Sequence, residues 1–278
     1  MVRYQIILAY DGTDFQGFQR QGSARTVQLV VEEALRSLNW QGRTILAAGR
    51  TDTGVHAAGQ VIAFELEWAH STEKLGRAIN ANLPHDVAVK DVQLAADDFH
   101  PRYSARARSY RYHLYCQPER NPLYDRYAWR LWPDVDPAKL RQAAELLPGT
   151  HDFAAFGTPP RPGGSTIRSV YQASWLPYTG EAGGLLFEVT ANAFLYRMVR
   201  RMVWLQVMVG LNRLELDKLA RAIDESQPQT SGLAPACGLV LWKVWYDTGQ
   251  ENEERFQAEV ISSLATSGED DRGQDLRP

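Results

Sequence analysis

Cysteine is scarce: Cys116 and Cys237 are the only two in 278 residues. Neither lies in a C-x-x-C or other metal-like spacing, so a zinc knuckle or a disulfide scaffold is excluded and two free thiols are expected. No apolar run approaches the roughly 20 residues that a membrane-spanning helix needs. The longest, over 202–211, follows Arg200 and Arg201. Met1-Val2-Arg3-Tyr4 opens no signal-peptide apolar region, which points to a soluble, cytoplasmic protein with no membrane partner. There is no G-x-x-x-x-G-K-[ST], no G-x-G-x-x-G after a strand and no H-E-x-x-H, and the six histidines are scattered. No cofactor and no metal is therefore expected, and any chemistry has to run on side chains alone.

Lysine is also sparse, with five against 25 arginines. The net charge of −3 argues against a polyanionic partner until its distribution is followed. Residues 249–278 carry eight acids and three arginines, a tail of −5, which leaves the rest at +2. Arginine's planar fork suits phosphate oxygens and stacks on bases, although a GC-rich genome would enrich arginine as well. Its clustering says more. Arg102, Arg106, Arg108 and Arg111 alternate with Tyr103, Tyr110 and Tyr112, and Arg197, Arg200 and Arg201 come together further on. Cations interleaved with aromatics fit a groove that holds phosphates and stacks bases. On a strand, Tyr110 and Tyr112 share a face with Arg108, while Ser109, Arg111 and His113 take the other. A half-buried strand with tyrosines inside and arginines outside would read the same way.

The apolar periodicity gives alternating strands and helices. Residues 3–10 read as a strand and 11–18 as a polar, glycine-bearing loop. Thr26 is a candidate N-cap for a helix over 27–38, with apolar positions at Val27, Val30, Val31, Ala34, Leu35 and Leu38. Apolar runs at 44–48 and 60–67 read as a strand–loop–strand. A helix from Ser71 to about residue 81, ended by Pro84, and a strand over 87–94 complete a β-α-β-β-α-β unit of ferredoxin-like order. A basic hinge-like segment over 97–107 follows. After it come strands at 108–116, 169–176, 185–190 and 239–246 and helices at 138–147, 195–211 and 216–224. Segments 118–137 and 159–164 are irregular. The expectation is an α+β fold of two similar halves, 1–105 and 106–248, with antiparallel sheets. An acidic tail, 249–278, adds a marginal helix over 256–264 and then disorder.

The block Ala48-Gly49-Arg50-Thr51-Asp52-Thr53-Gly54-Val55-His56-Ala57 lies between the two apolar runs. Its two glycines allow a sharp turn or a close backbone approach, and a loop held by strands is a common seat for catalytic groups. A salt-bridged surface turn accounts for the same residues equally well. Asp52-Thr53-Gly54 and Asp247-Thr248-Gly249 both read D-T-G, as in two-lobed aspartic proteases. Arg50-Thr51 stands where that fold needs an apolar strand, and the second triplet is followed only by the acidic tail, so the protease reading fails.

Taken with other blocks, the sequence resembles the TruA-type tRNA pseudouridine synthases. Those blocks are Tyr10-Asp11-Gly12-Thr13, Asn80-Ala81-Asn82-Leu83-Pro84, Asp98-Phe99-His100, Ser104 through Tyr112, Asn192-Ala193-Phe194-Leu195 with Met198-Val199-Arg200, and Ala234-Pro235-Ala236-x-Gly238-Leu239. They run in the family's order over about residues 4–246. The resemblance implies RRM-like halves joined around a central RNA-binding cleft, a homodimer, and isomerisation of uridine to pseudouridine at positions 38 to 40 of the tRNA anticodon stem-loop. It implies Asp52 as the nucleophile, Tyr110 packing on the target base, Arg50 holding the flipped nucleotide, and Arg200 paired with Asp52. An isomerisation needs no cofactor. A non-catalytic RNA-binding module of the same fold is the competing expectation. Three departures from the family's pattern stand out: Thr53 is often alanine there, Tyr196-Arg197 replaces a common His-His, and Arg201 replaces a common asparagine.

Overall fold

A computed structural model describes residues 1–178, 183–226 and 232–247. The expected tail helix over 256–264 and the acidic terminus lie outside the described residues. Among the described residues no helix is long and apolar enough to cross a membrane.

The first half starts with strand β1 (Val2–Tyr10), in which Tyr4, Ile6, Leu8 and Tyr10 alternate into the core. Helix α1 (Val27–Arg36) starts where the Thr26 hydroxyl accepts the amide of Leu29, and it buries Val27, Val31, Ala34 and Leu35 along one stripe. Strand β2 is only Leu46–Ala47, and β3 runs over His56–Leu66. Ser71 caps α2 (Thr72–Asn80), and β4 occupies Val87–Leu94. The Asn80 amide then clamps β4 by donating to the Val89 carbonyl and accepting the Val89 amide. That accounts structurally for the Asn80–Pro84 block.

The second half repeats the pattern with additions. Its elements are β5 (Ala105–Cys116), β6 (Trp129–Leu131), α3 (Pro137–Glu145), β7 (Gly149–Asp152), β8 (Ile167–Tyr178), β9 (Gly184–Ala191), α4 (Met198–Gly210), α5 (Leu216–Asp224) and β10 (Leu239–Tyr246). Asp136 caps α3, with Pro137 at the first helical position, where its missing N–H is no loss. The expected helix over 195–211 starts only at Met198, because Arg197 sits in the left-handed region with φ 63°.

Two antiparallel sheets were expected, and the strands instead form one mixed sheet of order β4-β1-β3-β10-β5-β9-β8-β7, with β2 on β3 and β6 on β5. Each half keeps the ferredoxin-like order, β4-β1-β3-β2 in one and β10-β5-β9-β8 in the other. Because β2 is so short, it leaves part of β3's edge open. There β10 pairs in parallel, Val240 with His56 and Leu241 with Ala57, while its other edge runs antiparallel to β5. The packing crosses this seam in both directions. Leu241 and Val244 of β10 lie in the first half's core, and Val55, just before β3, lies in the second half's core.

The seam leaves little room. A Cβ on Gly59 of β3 would sit 2.3 Å from the Trp242 carbonyl oxygen of β10. Gly59→Ala is therefore expected to force the strands apart and cost about 1–3 kcal/mol, as overpacking does. The urea unfolding midpoint is the measurement, and an unchanged midpoint would refute the steric account.

Candidate active site

The loop between β2 and β3 carries Asp52 on the floor of a cleft of about 1140 Å³. The cleft is walled by this loop, by segment 16–21, by 100–103, by β5 and by residues 193–200 at the start of α4. The loop is shaped by backbone contacts. Gly54 adopts φ 77° and the Val55 amide donates to the Asp52 carbonyl, which closes the turn. The Phe18 amide donates to the Thr51 carbonyl. Gly12 packs so tightly below that a Cβ there would lie 2.0 Å from the Val55 oxygen. The Tyr10 and Thr51 hydroxyls meet at 2.8 Å, and the Gln60 amide donates to the Gly49 carbonyl at 3.0 Å.

Asp52 and Arg200 meet across the halves, as the sequence led us to expect: Arg200 Nη1 donates to Asp52 Oδ2 at 3.0 Å. Arg200 Nε donates to the Ala234 carbonyl at 2.8 Å, and the Ala234 amide returns a bond to the Arg200 carbonyl. The guanidinium is thus held at both ends, with only 12% of its side chain exposed. Tyr110, half-buried on β5, packs against both cores and edge-on to Phe194, ring centroids 5.0 Å apart. Burial drives the Tyr110 phenol up to about 12. It therefore stays protonated at neutral pH, and Tyr110 is among the residues that line the cleft. Arg50 is exposed on the loop and lines the same cleft, with no ion pair among the described residues. The structure thus brings all four expected site residues to one cleft.

The expected arginine groove is only partly there. Arg50, Arg102, Arg108, Arg197 and Arg200 line the cleft, and among the described residues Asp52 is the only carboxylate that does. Arg108 is a structural tie rather than an open phosphate site. Its guanidinium donates to the carbonyls of Ala48, Arg102 and Asn192, at 3.1, 2.7 and 3.0 Å. Arg111 has the opposite parity on β5, so it turns to the other face, where it pairs with Glu188 and lies 3.6 Å from the Trp242 ring. Arg106 sits 4.0 Å from Asp247 and, like Arg201, is not among the lining residues. No group of His, Cys, Asp and Glu that would hold a metal ion occurs among the described residues.

Sequence reasoning passed over the buttress under the loop. Asp11 accepts the Thr13 amide and hydroxyl on one oxygen, and Arg126 Nε (2.9 Å) and the Tyr127 hydroxyl (3.0 Å) on the other. Beside it, His56 Nδ1 lies 3.0 Å from the Gly12 amide and 3.1 Å from Asp11 Oδ1, and its Nε2 lies 3.1 Å from the Cys237 carbonyl. Burial lowers the pKa of His56, against the opposing pull of Asp11. Asp11 and His56 stood inside recognisable blocks, but Arg126 and Tyr127 lie in a segment with no periodic signal.

The Tyr-Asp-Gly-Thr block, the Asp52 loop, the Arg200 helix start and the Ala234–Leu239 segment thus converge on one cleft. A family model described as tRNA pseudouridine synthase matches residues 6–104 and 143–247, which include all of them. The chain belongs to the tRNA pseudouridine synthase family. Relatives named tRNA pseudouridine synthase A agree over nearly their full length. The protein from Streptococcus equi subsp. equi is 39% identical over 249 residues, covering 89% of this chain and 100% of its own. That from Chloroflexus aurantiacus is 41% identical, covering 88% of each chain. That from Thermotoga neapolitana is 40% identical, covering 88% of this chain and 100% of its own.

Burial works to raise the Asp11 pKa, but the Thr13, Tyr127 and Arg126 donors outweigh it and hold the carboxyl at about 2. That lies below the unfolded value near ~3.9. Ionised Asp11 therefore stabilises the fold above the unfolded value, and the contribution is lost as pH falls through the folded one. The stability gap between the native protein and Asp11→Asn is expected to shrink by roughly 2 kcal/mol from pH 6 to pH 2. Urea titrations of both proteins across that range are the check, and a constant gap would contradict the assignment.

Proposed function

We propose that this chain isomerises uridine to pseudouridine at positions 38 to 40 of the tRNA anticodon stem-loop, with Asp52 as the nucleophile. The observation that carries the proposal is the isolated carboxylate: among the described residues Asp52 is the one acid lining the cleft, with five arginines around it, and it is ion-paired to a guanidinium fixed by the other half. Such a cleft attracts a polyanion and focuses it on one nucleophile.

A stacked base cannot be reached, so the target nucleotide has to leave the helix before its glycosidic bond is broken. Arg50, exposed on the loop and without an ion pair among the described residues, would then hold the displaced nucleotide. Tyr110 would pack its ring on the uracil. The Asp52 carboxylate would form a covalent bond to the nucleotide, splitting one difficult step into two. Ribose C1′ and uracil C6 are the two carbons open to it. Over the whole reaction the N1–C1′ bond breaks, a C5–C1′ bond forms, C5 loses its proton and N1 ends protonated. Nothing is gained or lost, so no cofactor is required. Arg200 would hold the Asp52 carboxylate in place at the cleft.

The same reading carries a homodimer, with the RNA cleft shared between two subunits, and a cytoplasmic location alongside tRNA. A chain only slightly positive outside its tail suits the shared cleft, because two clustered patches can line one groove.

Asp52→Asn is expected to bind an unmodified tRNA transcript and to form no pseudouridine by chemical mapping. Full activity in that variant would remove the nucleophile assignment. A wild-type protein that binds tRNA but leaves every uridine intact would favour the non-catalytic binding module. Tyr110→Phe should bind and turn over slowly at best. Transcript affinity should also fall steeply between 50 and 200 mM salt, and a flat response would exclude phosphate contacts as its source.

A further inference from the structure

Tyr196 is an exposed aromatic at the mouth of the cleft. It lines the cleft, yet 52% of the residue is open, whereas aromatic side chains elsewhere in the two cores are mostly covered. The Arg197 guanidinium lies 4.8 Å from the centre of its ring. Arg197 makes no ion pair among the described residues, and the one carboxylate lining the cleft is already paired with Arg200.

The backbone beneath the pair is fixed in an unusual shape. Arg197 has φ 63° and ψ 11°, left-handed values that a residue with a Cβ adopts at a cost. Three hydrogen bonds hold it there: the Tyr196 amide to the Thr158 carbonyl, the Met198 amide to the Leu195 carbonyl, and the Arg201 amide to the Arg197 carbonyl. The next turn of the same helix carries Arg200, which grips Asp52. The ring and its guanidinium are therefore presented at a set place relative to the nucleophile.

We propose that Tyr196 and Arg197 form a stacking platform for one unpaired nucleobase beside the target uridine, with Arg197 also meeting its phosphate. This rests on reading the cleft as a tRNA uridine isomerisation site. An exposed ring backed by a guanidinium is the chemistry that holds single-stranded bases without reading their identity. The pair would make Tyr196 a positioning residue: it sets how the loop lies in the cleft and touches no reacting atom.

The test uses the full chain and unmodified tRNA transcripts, one intact and others abasic at single positions flanking the target uridine. Wild-type protein is expected to bind one abasic transcript about 5- to 150-fold more weakly than the intact one. Tyr196→Ala should lose the same factor on intact tRNA and become indifferent to the abasic site, with KM rising more than kcat falls. Tyr196→Trp should restore both, and matched thermal melts would show that the variants fold. The proposal is overturned if Tyr196→Ala keeps the wild-type KM, if its abasic penalty persists, or if the Trp variant behaves like Ala. A wild-type protein that forms no pseudouridine would sink the underlying functional reading instead. Normal activity combined with any of the three overturning results would remove the platform alone.

Discussion

Two residue pairs, Val240 with His56 and Leu241 with Ala57, join the halves of this molecule in parallel register. They lie at the foot of the Asp52 loop, where β3 begins. Everything above depends on that join. It turns the two halves' strands into one sheet, lets Leu241 and Val244 complete the first core, and lets Val55 reach into the second. A loop anchored in both cores has little freedom, which suits the role proposed for Asp52. The Asp52–Arg200 ion pair follows from the same join, since its partners are far apart in sequence and come from opposite sides of the seam.

The arginines divide by what surrounds them rather than by where they cluster. Arg108 donates to three backbone carbonyls at the junction, those of Ala48, Arg102 and Asn192. Arg111 answers a buried glutamate on the far face of the sheet. Arg50 and Arg197 have no such partner among the described residues and face the cleft. The guanidinium serves both uses because it is always charged and presents its donors in a rigid fork. A cluster in the sequence therefore marks a junction as readily as a binding groove.

Local physics made many elements legible. Val87–Leu94, Leu216–Asp224 and Leu239–Tyr246 carry their periodicity up to the observed bounds, and Thr26 and Ser71 announce their helices. The motif blocks led to the cleft, to Asp52 and to its partner Arg200. Three features were hidden for a common reason. β3 begins at His56, before its apolar run, because its neighbours β1 and β10 extend the ladder there. α4 starts late because Arg197 is held left-handed by bonds from distant and neighbouring carbonyls. Fusion into one sheet rests on a pairing between strands some 180 residues apart, and nothing local to either strand specifies it. The Arg126–Tyr127 contact with Asp11 is equally remote.

Among the described residues the last strand, β10, sits in the middle of the sheet. β10 lies between β3 and β5, so a growing polypeptide cannot complete its first core until residues near its end have been made. Until then the edge of β3 and the apolar side chains that Leu241 and Val244 cover stay open to other contacts. The Asp52 loop has its backbone early, yet its foot is pinned only when β10 arrives. The foot of the Asp52 loop is thus set by a strand that lies some 180 residues further along the chain.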